Sequence, residues 1–231
     1  MKVLAVDTSS MVAAAAVRED GKLLGEYILN SGHTHSEKLM PMIMDLMSGI
    51  GLTPPEIDLF AVSSGPGSFT GLRIGITTIK AMAYSLKKPV AAVPTLDALA
   101  YNLPPDGKLV CPMMDARNMQ VYTAIYSWDK GELKRKSDYM ATLLTELVDK
   151  ILESGQECIF LGDGCLVHKD FLMDKLKDKA FFAPDNLLLQ RASSVAELGL
   201  IMYRKGEWVD AFNLVPFYLR KPQAERKSEE K

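Results

Sequence analysis

The sequence is poor in the residues that build cross-links and metal centres. It has three cysteines, Cys111, Cys158 and Cys165, and none stands in a Cys-x-x-Cys pair. A sparse, odd count excludes a disulfide framework and fits a reducing cytosol. Histidine is equally scarce, with His33, His35 and His168 alone. Two imidazoles share a helix face, and can grip one ion, at a spacing of four residues. His33 and His35 are two positions apart, and no carboxylate cluster stands beside them. No metal is expected. No apolar run approaches the roughly 18 residues of a membrane span. The opening MKVLAVDTSS lacks the long apolar stretch and cleavage site of a secretory signal. A cytoplasmic location is therefore expected, with no membrane partner. Charge of one sign is missing too. Lys plus Arg is 27 and Asp plus Glu is 29, a formal charge of −2. That removes a strong electrostatic case for nucleic-acid binding, which needs clustered Lys and Arg. It does not exclude contact with RNA held mainly by a partner.

What is present is an ordinary globular mixture, 48% apolar and 24% charged over 231 residues. One large domain or two small ones can bury a core at this length. Lys2 to Val6 and Val12 to Val17 read as strands. The Glu19-Asp20-Gly21 turn leads into a third, Lys22 to Leu29. Ser36 to Ile50 then carries helical periodicity, closed by Gly51 and Pro54-Pro55. Leu59 to Ser63 is a strand, Thr70 to Leu86 a helix, Val90 to Val93 a strand and Thr95 to Tyr101 a short helix. Asn102 to Gly107 reads as a linker. The opening pattern then recurs. KLVCPMMDARNMQVYTAIYSWDKGELK repeats the scheme of KVLAVDTSSMVAAAAVREDGKLL: a strand ending in Asp, a polar turn, a strand, an acidic-Gly turn and a third strand. Asp7 and Asp115 lie close to half the chain apart. Helix Leu143 to Leu152, strand Cys158 to Leu161 and helix Val195 to Tyr203 follow. The expected architecture is a duplicated α/β unit. Residues 1–103 form the first half and 104–220 the second, with the last helix free to pack back on the first. The charged segment 221–231 is expected to be disordered.

The most distinctive segment is SSGPGSFTGLRIG, from Ser63 to Gly75, between a strand and a helix. Glycines there permit close backbone approach, and a helix N-terminus offers N–H groups to an anion. Two readings stand: a phosphate- or partner-contacting loop, and a tight strand-to-helix connection. No Gly-Lys-Ser/Thr follows, so it is not a Walker loop. No nucleophile elbow is present, and the cysteines sit in apolar segments.

Methionine is plentiful, at 13, and its placement is informative. At about 100° per residue, with Leu39 at 0°, Ile43, Leu46 and Ile50 fall within about 40°. Met47, Met40 and Met44 fall at about 80°, 100° and 140°, and Met42 at about 300°. The apolar arc of about 200° exceeds the roughly 100° that a surface helix needs. In the next helix Ile74, Thr78, Ala81, Met82 and Ser85 form a second, small and apolar face. Either the sheet and a neighbouring helix bury both faces, or another subunit covers them.

VDTSS, the GPGSFTGLRIG loop, Asp115-Ala116-Arg117 before Gln120-Val121-Tyr122, Leu161 to Gly164 and PFYLRKPQAE together resemble the TsaB (YeaZ) family. The resemblance covers nearly the whole chain. It implies the actin/Hsp70/sugar-kinase (ASKHA) fold, with two RNase H-like halves that each start with three antiparallel strands. It further implies a non-catalytic, cofactor-free subunit that binds and activates TsaD, with the ATPase TsaE joining the larger complex. That complex makes N6-threonylcarbamoyladenosine beside the anticodon of tRNAs reading ANN codons. The surface implied for TsaD, or for a homodimer when alone, is Met40, Met44, Met47, Ile74, Thr78, Ala81, Met82 and Ser85. By the same superfamily likeness Asp7, Thr8, Ser9, Gly65, Gly67, Ser68, Gly71, Gly162 and Gly164 occupy vestigial phosphate loops. A kinase-like ATPase of the same fold is the alternative function. A metallopeptidase is disfavoured by the missing His-x-x-x-His.

Overall fold

A computed structural model describes residues 1–31 and 34–220. His33 and the charged segment from 221 lie outside the described residues. The elements run β1 (Lys2–Asp7), β2 (Ala13–Glu19), β3 (Lys22–Leu29), α1 (His35–Gly49), β4 (Leu59–Gly65), α2 (Phe69–Leu86), β5 (Val90–Pro94) and α3 (Thr95–Ala100). They continue β6 (Leu109–Asp115), β7 (Gln120–Thr123), β8 (Tyr126–Asp129), β9 (Glu132–Arg135), β10 (Met140–Leu143), α4 (Leu144–Ser154) and β11 (Cys158–Leu161). The last are α5 (Asp163–Val167), α6 (Lys169–Leu176), β12 (Ala180–Phe182), α7 (Asp185–Leu188) and α8 (Ala192–Arg204). Two compact units result, Met1–Asn102 with Leu189–Pro216, and Leu103–Leu188 with Phe217–Arg220. The helix α8 thus belongs to the first unit.

The first unit is built on a five-stranded sheet in the order β3-β2-β1-β4-β5. β1 pairs antiparallel with β2 and parallel with β4, in register from Val3↔Leu59 to Val6↔Val62. Both faces of the central strands are buried, which is why they read as unbroken apolar runs. Alternation sends Val3, Ala5, Leu59 and Ala61 to the face covered by Val195, Ala196 and Leu200 of α8. Leu4, Val6, Phe60 and Val62 point the other way, to the face where α1 and α2 lie. Small side chains let α8 come close. A Cβ on Gly199 would stand 2.7 Å from the Ala61 Cβ and 3.4 Å from that of Ala91.

The second unit repeats the core topology around β6. β6 pairs antiparallel with β7 and parallel with β11, and the sheet order is β10-β7-β6-β11-β12. One detail departs from the sequence reading. The expected second strand breaks at Ala124-Ile125, where the Ile125 N–H donates to the Ser137 hydroxyl at 2.9 Å. The Asp129-Lys130-Gly131 turn therefore joins a side hairpin, β8–β9, off the main sheet path. The third core strand is β10, which pairs with β7. A periodic pattern identifies strands and turns, but it does not say which strands pair.

Among the described residues no helix is long and apolar enough to cross a membrane. The closeness of α8 to the sheet yields a test. Gly199→Val is expected to lower the denaturant midpoint by an overpacking cost of about 1–3 kcal/mol. An unchanged midpoint in chemical unfolding would mean that α8 slides freely over Ala61.

Candidate functional site

Three places gather the residues singled out by the sequence: the turn after β1 with the glycine loop after β4, a counterpart in the second unit, and the outer side of α1 and α2. At the first, Asp7 ends β1 and is 1% exposed. Its Oδ1 accepts from the Ser9 N–H at 2.8 Å and the Ser9 hydroxyl at 2.7 Å. Its Oδ2 accepts from the Ser63 hydroxyl. Burial raises the Asp7 carboxyl above its ordinary range, and the bonds from Ser63 and Ser9 pull it back. Both oxygens are thus engaged inside the protein.

The glycine loop lies directly on this turn. The Ser68 N–H donates to the Ser9 carbonyl at 2.7 Å, and the Thr8 hydroxyl donates to the Gly71 carbonyl at 2.7 Å. A Cβ on Gly67 would lie 2.4 Å from the Ser9 carbonyl oxygen, one on Gly71 2.1 Å from that of Thr8, and one on Gly75 2.3 Å from the Thr8 hydroxyl. Gly65 adopts φ 127°, open to glycine. The Ser68 side chain accepts from the Gly71 N–H at 3.2 Å and caps α2. The close approach that these glycines permit is thus to the protein's own hairpin turn. His35 at the start of α1 joins in, its Nε2 2.7 Å from the Ser10 carbonyl oxygen.

The second unit carries a counterpart. Asp115 ends β6, and its Oδ1 accepts from the Arg117 N–H at 3.0 Å, as Asp7 accepts from Ser9. Gly162 has φ 97°. A Cβ on Gly164 would meet the Asp115 nitrogen at 3.0 Å. Asp163 is pushed up to about 6, chiefly by burial and also by the Asp115 charge, against N–H bonds from Asp115 and Gly164. His168 Nε2 stands 3.6 Å from Asp115 Oδ1, beyond hydrogen-bond reach. Burial pushes Cys165 up to about 12 and raises Cys158 well above its ordinary value, so neither thiol is a ready nucleophile. Among the described residues no group of three or more His, Cys, Asp or Glu could hold a metal ion.

On the outer helices, α1 buries Leu39, Met42, Ile43, Leu46 and Met47. The buried stripe thus runs from about −60° to +80°, wider than usual because both the sheet and α2 cover it. Met47, at its edge, is 3% exposed and is core, which corrects its assignment to the outer face. Met40 and Met44, beyond that edge, are 40% and 63% exposed. In α2 the buried set is Gly71, Leu72, Gly75, Ile76, Ile79 and Ala83. Ala81 and Ser85 are exposed; Ile74, Thr78 and Met82 are half-buried. At the start of α2 a groove of about 520 Å³ is lined by Ser36, Phe69, Thr70, Arg73, Ile74, Thr77 and Thr78. The Arg73 guanidinium lies 3.8 Å from the centre of the Phe69 ring. The sequence reading had passed over Phe69, Arg73 and Thr77. Their spacing, one helical turn apart, already put them on one stripe.

A family model described as "TsaD: tRNA N6-adenosine threonylcarbamoyltransferase" matches residues 22–228. The tRNA threonylcarbamoyladenosine biosynthesis protein TsaB of Bacillus subtilis is 34% identical over 227 residues, covering 98% of this chain and 97% of the relative. The chain belongs to the TsaB family. The Escherichia coli TsaB is 28% identical over 231 residues, covering 98% of both proteins. A solved Pseudomonas aeruginosa structure, of an uncharacterized protein with similarity to peptidase YeaZ, superimposes with a TM-score of 0.80. It is 27% identical and covers 95% of this chain and 99% of its own. The duplicated α/β architecture of this TsaB-family chain is the expected ASKHA-like one.

Two tests follow. Gly71→Ala drives a Cβ into the Thr8 carbonyl and is expected to destabilise by about 2 kcal/mol or more, where a compatible glycine site would gain about 0.4–1 kcal/mol. Thermal melting that showed a gain would rule out the close contact. Asp163 supplies a pH test. Its ordinary value is 3.8 and its folded value about 6, so the native state holds a proton that the unfolded chain releases. Stability from this group is complete below the lower value and is lost as pH rises to the upper one, by about 3 kcal/mol at 1.36 kcal/mol per unit. Asp163→Asn is expected to remove that fall. Parallel Tm-against-pH curves for the two proteins between pH 4 and 6.5 would refute it.

Proposed function

We propose that this chain is the non-catalytic partner of TsaD in making threonylcarbamoyladenosine in tRNA. It docks by the outer face of α1 and α2 and holds TsaD in a competent state. The chemistry then belongs to TsaD, TsaE joins the larger complex, and tRNA is reached only through it. Without TsaD, the same face pairs two copies of this chain.

The observation that carries the reading is the outer helical face. Met44 and Met40 are exposed beside a second helix whose outward residues Thr78, Ala81 and Ser85 are short. Short side chains let a facing helix approach closely, and methionine adapts to its neighbour. The names of the TsaB relatives support a role in that pathway. The accessory role draws support from Asp7, whose carboxylate is taken up inside the fold, and from the buried thiols. The near-neutral charge of −2 suits a subunit that does not itself grip RNA.

Size-exclusion chromatography with light scattering, on this chain with its own TsaD, tests the reading. The wild type is expected to form a stoichiometric complex. Met44→Glu and Ala81→Glu are expected to stay folded and lose it, because a charge would be buried unpaired. Complexes that survive both substitutions would move the interface elsewhere. Loss of the gene product is expected to deplete threonylcarbamoyladenosine in bulk tRNA, read by nucleoside mass spectrometry.

A further inference from the structure

The groove at the start of α2 has a chemistry of its own. From Leu59 to Leu96 the chain contains no Asp or Glu, while Arg73, Lys80, Lys87 and Lys88 fall within that stretch. Every charged side chain on α2 is therefore positive. Lys80 lies outside the groove lining, and its Nζ donates to the carbonyls of Phe212 and Leu214, at 2.9 and 3.2 Å. Lys87 and Lys88 lie at the far end of the helix. Arg73 alone among the groove's lining residues is charged, and the other lining side chains are hydroxyl-bearing or apolar. Phe69 and Thr70 belong to the first turn of α2, where the helix dipole adds positive potential. The neighbouring helix is mixed, with Glu37, Lys38 and Asp45, so the cationic character belongs to α2.

We propose that this groove receives an acidic side chain from a helix of the protein partner, with Arg73 as the residue that reads it. The proposal rests on the docking reading above and adds the chemistry of the docking group. A guanidinium is planar and presents five donors in a fork that fits a carboxylate. Stacking on Phe69 presets its plane, which limits the freedom lost on binding. Phe69 and Ile74 give apolar walls for the methylenes of the incoming residue, and Thr70, Thr77 and Thr78 give hydroxyls for its neighbouring polar groups. A protein occupant is favoured over an RNA phosphate. One arginine among hydroxyl-bearing and apolar side chains suits a single carboxylate, whereas a nucleic-acid backbone is tracked by a row of cations.

The test measures Kd between this full chain and its own full-length TsaD by calorimetry, at low and at roughly 0.3 M salt, where charges are screened within a few ångströms. The wild-type Kd is expected to weaken about tenfold with salt. Arg73→Ala is expected to weaken low-salt binding by about tenfold or more and to flatten the salt dependence, with an unchanged melting temperature. Arg73→Lys should keep the salt slope and lose part of the affinity. Arg73→Glu, rescued by an acid-to-lysine change in the partner, would identify the facing residue and support the proposal. If the wild-type complex forms but salt and Arg73→Ala each move its Kd less than twofold, the acidic anchor is wrong while the docking reading stands. If no complex forms at either salt, the docking reading itself falls. If Arg73→Ala weakens tRNA binding and leaves TsaD binding intact, the occupant is a phosphate and the proposal is overturned.

Discussion

The first unit hangs on the contact between the turn after β1 and the glycine loop after β4. Asp7 sits at the end of the central strand, and three donors hold its carboxylate. The turn that they shape offers the carbonyls of Thr8 and Ser9 to the loop, and Gly67 and Gly71 let the two backbones meet. That meeting places the Ser68 cap and hence the axis of α2. His35 ties the first turn of α1 to Ser10 in the same cluster. The direction of both outer helices therefore follows from one buried carboxylate and a few missing side chains. A buried, hydrogen-bonded acid is costly to rearrange, which makes the helical face a rigid platform.

The same device occurs twice. Asp7 with Ser9, and Asp115 with Arg117, each close a turn at the end of a central strand. In each unit a glycine after the parallel neighbour strand presses on that turn, with Gly164 against Asp115 in the second. The copies have diverged in what they carry. The first leads into α2, an 18-residue helix with an outward face. The second leads into the five residues of α5, with Asp163 held near half-protonation at mildly acidic pH. Duplication supplied the scaffold, and the segment after the loop supplied the difference between the halves.

Much of this was legible in the sequence because it depends on local periodicity. The strand from Cys158 to Leu161 has the bounds that its pattern implied, and α2 ends at Leu86 as its pattern implied while starting one residue earlier, at Phe69. The recurrence of a strand ending in Asp was visible for the same reason. The pairing of β10 with β7 was not, since a side hairpin and a core hairpin share one turn signature. Met47 was misplaced because an angle around the helix axis does not say how many neighbours press on the helix. Arg73 drew no notice because an arginine on a helix is unremarkable until Phe69 stacks on it and a groove opens beside it.

By itself, the sequence determined the class of protein: an α/β duplication, with an outer apolar excess on its first two helices and a glycine loop that could serve a ligand or the fold. Hydrophobic period, turn chemistry and the absence of cross-linking residues are local properties, and they suffice for that. Only the tertiary structure decided what the glycines face. Backbone proximity between residues 8 and 71 is a long-range fact, set by the parallel pairing of β1 with β4. The same pairing brings α1 and α2 to one face of the sheet and separates their core methionines from their exposed ones. Which side chains remain for a partner is decided by that packing, because burial is a property of neighbours that sequence spacing does not encode.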